Sequence, residues 1–348
     1  MTQTTLFLDI GSGTQDVLLH RPGTVLENCP KFVLPSPAKA VAARLQALSA
    51  AGRHIWLHGR NMGGGFGRAL DAHLKLGLRA AAMRNAAYSL GDDLTRIEKM
   101  GVVLCEECPP AHAALELTDF DPRFWQRLLD AAGLALPDRI VAAAQDHGFH
   151  PGGPGSNRRG RFQFWERLLL ESHGRPEDLV FAAPPPEMTR LLDLQACING
   201  GFVADTGAAA VLGALFEADI SAQSRERGIR VVNVGNGHTV AFLLFQGRIL
   251  GVYEHHTGLL DAPALWSQLE RFRLGTLPFE EAFDTGGHGC LCLDLPGAAG
   301  DFSPTYVLGP RRELLKPYPV SFPAPGGDMM LAGCFGLLHG LRLRGLAD

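Results

Sequence analysis

The 348-residue sequence has only five lysines beside 27 arginines. No Gly-Lys pair occurs in it, so a Walker-type phosphate loop is excluded. No apolar run approaches the roughly 18 residues of a membrane span, and no membrane partner is expected. Residues 1–5 lack the basic stretch that opens a secretory signal peptide, which argues against export. Charge of either sign is scarce in excess: 32 basic against 36 acidic residues leave −4, no electrostatic footprint for nucleic acid. Seven cysteines, an odd number at scattered positions, do not form a disulfide framework and suit a reducing cytoplasm.

Glycine is what the chain has in surplus, 42 residues or about 12%, against about 7% in an average protein. It comes in clusters such as Gly63-Gly64-Gly65, Gly286-Gly287 and Gly326-Gly327, with no period, so tight turns and close backbone approaches explain it better than a collagen or linker. A 46% hydrophobic and 20% charged composition predicts a folded α/β protein, and the length suggests two domains. Strands are expected over 6–10, 17–20, 54–58, 101–104 and 139–144. The stretch 150–161, HPGGPGSNRRGR, reads as a functional or mobile loop carrying Arg158, Arg159 and Arg161. From residue 228 the pattern restarts with three successive strands, and a helix over about 329–343 closes the chain, with Asp328 as its cap.

Two turns stand out. LFLDIGSGTQDVLL (6–19) closes a buried strand with Asp9 and continues through Gly11, Ser12, Gly13 and Thr14. VVNVGNGHTVAFLL (231–244) repeats the design through Gly235, Asn236, Gly237, His238 and Thr239. Each turn by itself is either a plain hairpin or a loop whose backbone N–H groups point at an anion. Two of them, each opening an α/β half, imply phosphate-cradling loops facing across a cleft. In that second reading Asp9 would hold Mg²⁺ through water, since that ion favours carboxylate oxygen and keeps most of its waters.

In this order of motifs the chain resembles the actin, sugar kinase and heat-shock chaperone ATPase superfamily. VADTGAAAVLGAL (203–215) is similar to its first connecting helix, YVLGPRRELL (306–315) to its adenosine segment, and PGGDMMLAGCFGLLHGL (325–341) to its closing helix. The resemblance implies two actin-like, ribonuclease H-like domains with a nucleotide cleft between them. The first would be 1–220, completed by 326–348, and the second, smaller one 228–325. It implies ATP and Mg²⁺ as cofactors, with Gly309 or the pair Gly326 and Gly327 facing the adenosine. The expected function is an ATP-binding phosphotransferase or ATPase acting on an unknown small-molecule or protein acceptor. Asn233 departs from the aspartate usual in the second phosphate motif, so a non-catalytic nucleotide-binding regulator or assembly scaffold stays open as an alternative.

Asp146, in VAAAQDHGFH (141–150), stands where a strand runs out. It reads as the general base for the acceptor proton, or as a capping aspartate in a turn. His147 and His150 are three apart with no third ligand in view. The pair His54 and His58 would share a strand face. Cys105 and Cys108 form a lone C-x-x-C, from which a metal or redox protein is the remaining alternative, provided Cys290 and Cys292 meet them. The overall pattern also resembles an uncharacterised prokaryotic family labelled pyruvate formate-lyase activating enzyme. Such activators are radical enzymes with a C-x-x-x-C-x-x-C cluster, and this sequence contains none.

Overall fold

The computed structural model describes residues 3–149 and 157–347. The chain opens as an antiparallel meander of β1 (Thr5–Ile10), β2 (Thr14–His20) and β3 (Lys31–Pro35). Four parallel strands follow: β4 (His54–Gly59), β5 (Ala80–Ala82), β6 (Val102–Leu104) and β7 (His112–Leu117). They form a sheet of their own, ordered β6-β5-β4-β7, over a separate core that includes Ile55, Leu57, Phe66, Leu70 and Leu115. The chain then returns through β8 (Arg139–Ala144), β9 (Val180–Phe181) and β10 (Val203–Ala204) to the first sheet, ordered β3-β2-β1-β8-β10-β9.

The second half repeats this plan. β11 (Ile229–Val234), β12 (His238–Phe245), β13 (Arg248–His256), β14 (Gly289–Cys292) and β15 (Thr305–Leu308) form a sheet ordered β14-β13-β12-β11-β15. In each half a three-stranded meander lies beside a parallel strand, β8 on β1 and β15 on β11. That duplicated order, 3-2-1-4 twice, is the actin-like, ribonuclease H-like arrangement. Its central strands are apolar on both faces, as burial under helices on both sides requires. One core runs between the halves, joining Leu8 and Ala142 of the first sheet to Val231, Phe242 and Val252 of the second.

Two helices seal the first half. Asp205 caps helix Thr206–Phe216, its carboxylate accepting the Gly207 N–H at 2.8 Å. The closing helix Ala332–Leu343 packs on it backbone to backbone. A Cβ on Gly336 would stand 1.9 Å from the Ala209 carbonyl oxygen, and one on Gly213 2.2 Å from that of Ala332. Only glycine permits this approach. The closing helix starts later than the sequence suggests, because Asp328 caps a short 3₁₀ turn, Met329–Leu331, ahead of it.

A second difference concerns 150–161. Residues 150–156 lie outside the described residues, but helix Asn157–Glu171 takes in Arg158, Arg159 and Arg161. The glycine at 160 costs a helix about 1 kcal/mol. Burial of Phe162, Trp165, Leu168 and Leu169 outweighs it, at roughly 1.5–3 kcal/mol per large apolar side chain. Among the described residues no helix is long and apolar enough to cross a membrane.

The helix pair yields a first prediction. Gly336→Val should lower stability by at least about 1–3 kcal/mol, the range for an overpacked core, whereas Gly297→Ala, with no heavy atom within 4 Å of its new Cβ, should be neutral. Urea-unfolding midpoints of the two variants check this.

Candidate functional site

The β1–β2 and β11–β12 turns are closed by the same hydrogen bond. Gly11 N–H donates to the Thr14 carbonyl and Gly235 N–H to that of His238, both at 2.9 Å. The two turns meet tip to tip. A Cβ on Gly13 would lie 2.6 Å from Asn236 Nδ2, and one on Gly237 3.1 Å from Ser12 Oγ. The structure thus brings the residues of both predicted loops together, with one exception. The Thr239 side chain is buried, with its hydroxyl 3.0 Å from that of Thr257.

On one side of this contact is a small cavity of about 80 Å³ bounded by Asp9, Asp16, Thr206, Asn233, Gly309 and Met329. Asp9 and Asp16 each present a buried Oδ1 with no hydrogen-bond partner among the described residues. Burial raises the Asp9 pKa to about 7, and burial followed by the Asp9 charge raises that of Asp16 to about 8. Gly309 borders the cavity, its N–H directed at the Met329 sulfur 3.1 Å away. Gly326 instead packs on the Phe335 ring, and Gly327 does not line this cavity.

On the other side is a larger cavity of about 720 Å³, lined among others by Ser12, Gly64, Asp92, Asp146, Asn236 and His288. Asp146 is 4% exposed, and both its oxygens are engaged: Oδ1 accepts the Gly148 N–H at 2.8 Å and Oδ2 that of Leu191 at 2.9 Å. Beside it Asp92, which the sequence did not single out, has a buried Oδ2 without a hydrogen-bond partner among the described residues. Burial and then the Asp146 charge raise its pKa to about 6.

Three histidines in the wall of this cavity, with the fully buried Glu254 beside them, form a group that sequence spacing hid. One donor atom from each of His147, His238, Glu254 and His288 lies within 4.8 Å of the others. Strand register assembles them. His238 opens β12 opposite His256 on β13, and Glu254 lies two residues back on that same face. His288, just before β14, donates its backbone N–H to the Glu254 carbonyl at 2.9 Å. His147 arrives from the end of β8 in the other half. Ring centroids are 4.9 Å apart for His147 and His288 and 5.0 Å for His238 and His288. Burial keeps these imidazoles neutral, lowering His238 to about 4 and His288 to about 3. Burial alone would raise the Glu254 pKa, but the Arg161 guanidinium holds it below the ordinary carboxylate range.

Arg161 is 1% exposed and ties the two halves. Its Nε donates to Glu254 Oε2 at 2.5 Å, and its Nη1 donates to the Asp146 carbonyl and, at 3.3 Å, to Asp205 Oδ2. Its neighbours on the helix also have protein partners. Arg158 donates to the Phe283 and Gly287 carbonyls, and Arg159 pairs with Glu280. The other sequence candidates stay apart. Cys105 and Cys108 follow β6 in the inserted sheet, whereas Cys290 and Cys292 belong to β14. Among the described residues no cysteine belongs to a potential metal-holding group. His54 Nδ1 accepts the Arg79 N–H, and His58 stacks on Trp56; His150 lies outside the described residues.

A family model described as "Putative pyruvate format-lyase activating enzyme (DUF1786)" matches residues 62–314. No curated protein is found to match. Solved structures resemble the chain at low identity. The ethanolamine utilization protein EutJ from Carboxydothermus hydrogenoformans shares 10% identity over 95% of this chain and 88% of its own, with a TM-score of 0.30. A Bacteroides thetaiotaomicron protein with an actin-like ATPase fold and unknown function shares 8% over 96% of each chain, at 0.36. A chain of the PilM-PilN type IV pilus biogenesis complex shares 12% over 100% of each, at 0.38.

Removing the buried cation tests the electrostatics of the site. Arg161→Met leaves the Glu254 and Asp205 carboxylates buried without it, and should cost about 3–5 kcal/mol. A far smaller shift of the urea midpoint would show that solvent reaches Glu254.

Proposed function

We propose that this chain, which belongs to the DUF1786 family, binds a nucleoside triphosphate as its magnesium complex where the two hairpins meet, and transfers or hydrolyses its terminal phosphoryl group. One observation carries the reading: two turns of the same design, from two sheets of the same strand order, are apposed at Ser12–Gly237 and Gly13–Asn236. In this reading residues 1–220 with 326–348 form one jaw and 228–325 the other. Backbone N–H groups of 12–14 and 236–238 would cradle the phosphates.

The residues of the small cavity fit magnesium. Asp9 and Asp16 each present one hard carboxylate oxygen, Oδ1, without a hydrogen-bond partner among the described residues, and Asn233 adds an amide beside them. Bound there, the ion would neutralise charge on the phosphates. Asp9 would orient its waters. The cavity is too small for a purine nucleoside, so binding requires the jaws to part and the Met329 sulfur to leave the Gly309 N–H. Closure would then exclude water. For the acceptor, a small molecule or a protein, Asp92 offers the free carboxylate oxygen and near-neutral pKa that a general base needs. Asp146, named for that role from sequence, would hold the turn that positions it. Asn233 and the amide-bound Asp146 favour the second reading, a nucleotide-binding regulator or scaffold without turnover.

Calorimetric titration with MgATP and an assay of phosphate release separate the two. Asp9→Asn should weaken binding about tenfold or more, equivalent to roughly 1.4 kcal/mol. Asp92→Asn should leave binding intact and slow turnover by about 10²–10⁴. Tight binding with no release in the parent protein would favour the regulator, and absence of binding would sink both readings.

A further inference from the structure

We propose that His147, His238, His288 and Glu254 form a site for one divalent transition-metal ion of the zinc or ferrous class, separate from the magnesium position and bridging the two halves of the molecule. Three imidazole nitrogens and a carboxylate oxygen are the donor set such ions take, whereas magnesium selects oxygen. The donors lie within 4.8 Å of one another. A tetrahedron with bonds of about 2.1 Å has an edge of about 3.4 Å, so side chains closing by roughly an ångström would complete the shell.

Two further observations point to a ligand. His238 Nε2 and His288 Nδ1 are buried and, among the described residues, have no hydrogen-bond partner, and His288 Nδ1 faces Glu254 Oε1 at 3.5 Å. Leaving a buried polar atom unsatisfied costs about 1–3 kcal/mol, a penalty a bound cation removes at both nitrogens together. Glu254 is also held from behind as metal ligands are. Arg161 fixes its Oε2, and Gln145 Nε2 donates to Oε1 at 2.6 Å, leaving the second lone pair of that oxygen for a metal. Among the described residues no histidine lines the small cavity around Asp9, so the histidine donors lie on the other side of the hairpin contact. The nitrogen side opens on the 720 Å³ cavity, which also contains Asp92. His147 belongs to the first half and the other three donors to the second, so the ion would clamp the cleft.

The test needs no nucleotide, so its result is independent of the reading above. The full chain, stripped with chelator and dialysed, is titrated with Co²⁺ alone, followed by visible absorption, and then with Zn²⁺ as competitor. One equivalent of Co²⁺ should bind with the intense d–d bands of a four- or five-coordinate site and be displaced by Zn²⁺. Zn²⁺ should also raise the melting temperature, because a ligand that binds only the folded state stabilises it. His238→Ala and His288→Asn should each weaken Co²⁺ binding by about 10–100-fold; His256→Ala, outside the donor group, should retain it. A folded parent protein that leaves Co²⁺ in its aqueous spectrum overturns the proposal, as do folded His238→Ala and His288→Asn variants that bind unchanged. Should both variants fail to fold, the parent protein's stoichiometry and spectrum alone decide.

Discussion

A single buried guanidinium organises the cleft. Arg161 reaches from helix Asn157–Glu171 to Glu254 in the second half and to Asp205 and the Asp146 carbonyl in the first. Taking these charges out of water costs several kcal/mol per ion, and a well-packed apolar trio would serve stability at least as well. What the ion cluster supplies is position. It fixes Glu254 on the face of β13 where the histidines gather, and with Asp205 it fixes the turn after β8 from which His147 projects. Loosening this point would affect the cleft from both sides.

The duplicated fold is symmetric in topology and asymmetric in chemistry. At matching positions the first hairpin carries Asp9 and Asp16, and the second carries Asn233 and Val240. Burial raises the Asp9 and Asp16 carboxyls to pKa values of about 7 and 8, with the Asp9 charge adding to the rise at Asp16, a cost that a divalent cation between them would relieve. The second hairpin has lost that acidity and opens β12 with His238 instead. Each half therefore contributes the same backbone cradle with a different class of donor beside it.

How much of this was legible in the sequence depends on whether the signal was local. The hairpins were, because a buried strand ending in Gly-Ser-Gly-Thr or Gly-Asn-Gly-His states its own turn, and two of them in order state the duplication. The helix over 203–215 was legible from its likeness to a connecting helix, although its cap, Asp205, was not singled out. The helix carrying Arg161 was hidden by the glycines and prolines before it, although Phe162, Trp165, Leu168 and Leu169 carry helical spacing. The histidine group could not be read at all. Its members are separated by 91, 16 and 34 positions in the chain, and only the β12–β13 and β13–β14 pairings and the β8 crossover bring them together. Asp92 had none, since its environment is made by the turn after β8.

The contact between the hairpin tips divides the cleft into unequal chambers, about 80 Å³ with oxygen donors and about 720 Å³ with nitrogen donors and Asp92. A triphosphate straddling that contact would keep its base on the Gly309 side and deliver its terminal phosphate to the larger chamber, beside Asp92 and the histidines. The smaller chamber can admit a nucleoside only by separation of the halves, and the histidine group spans those same halves through His147. Admission of the proposed nucleotide and closure on the proposed metal would then be opposed movements of the two halves. Drawing His147 toward His238 and His288 would hold the halves together, so occupancy of the nitrogen side would favour the closed cleft and resist admission of nucleotide on the other.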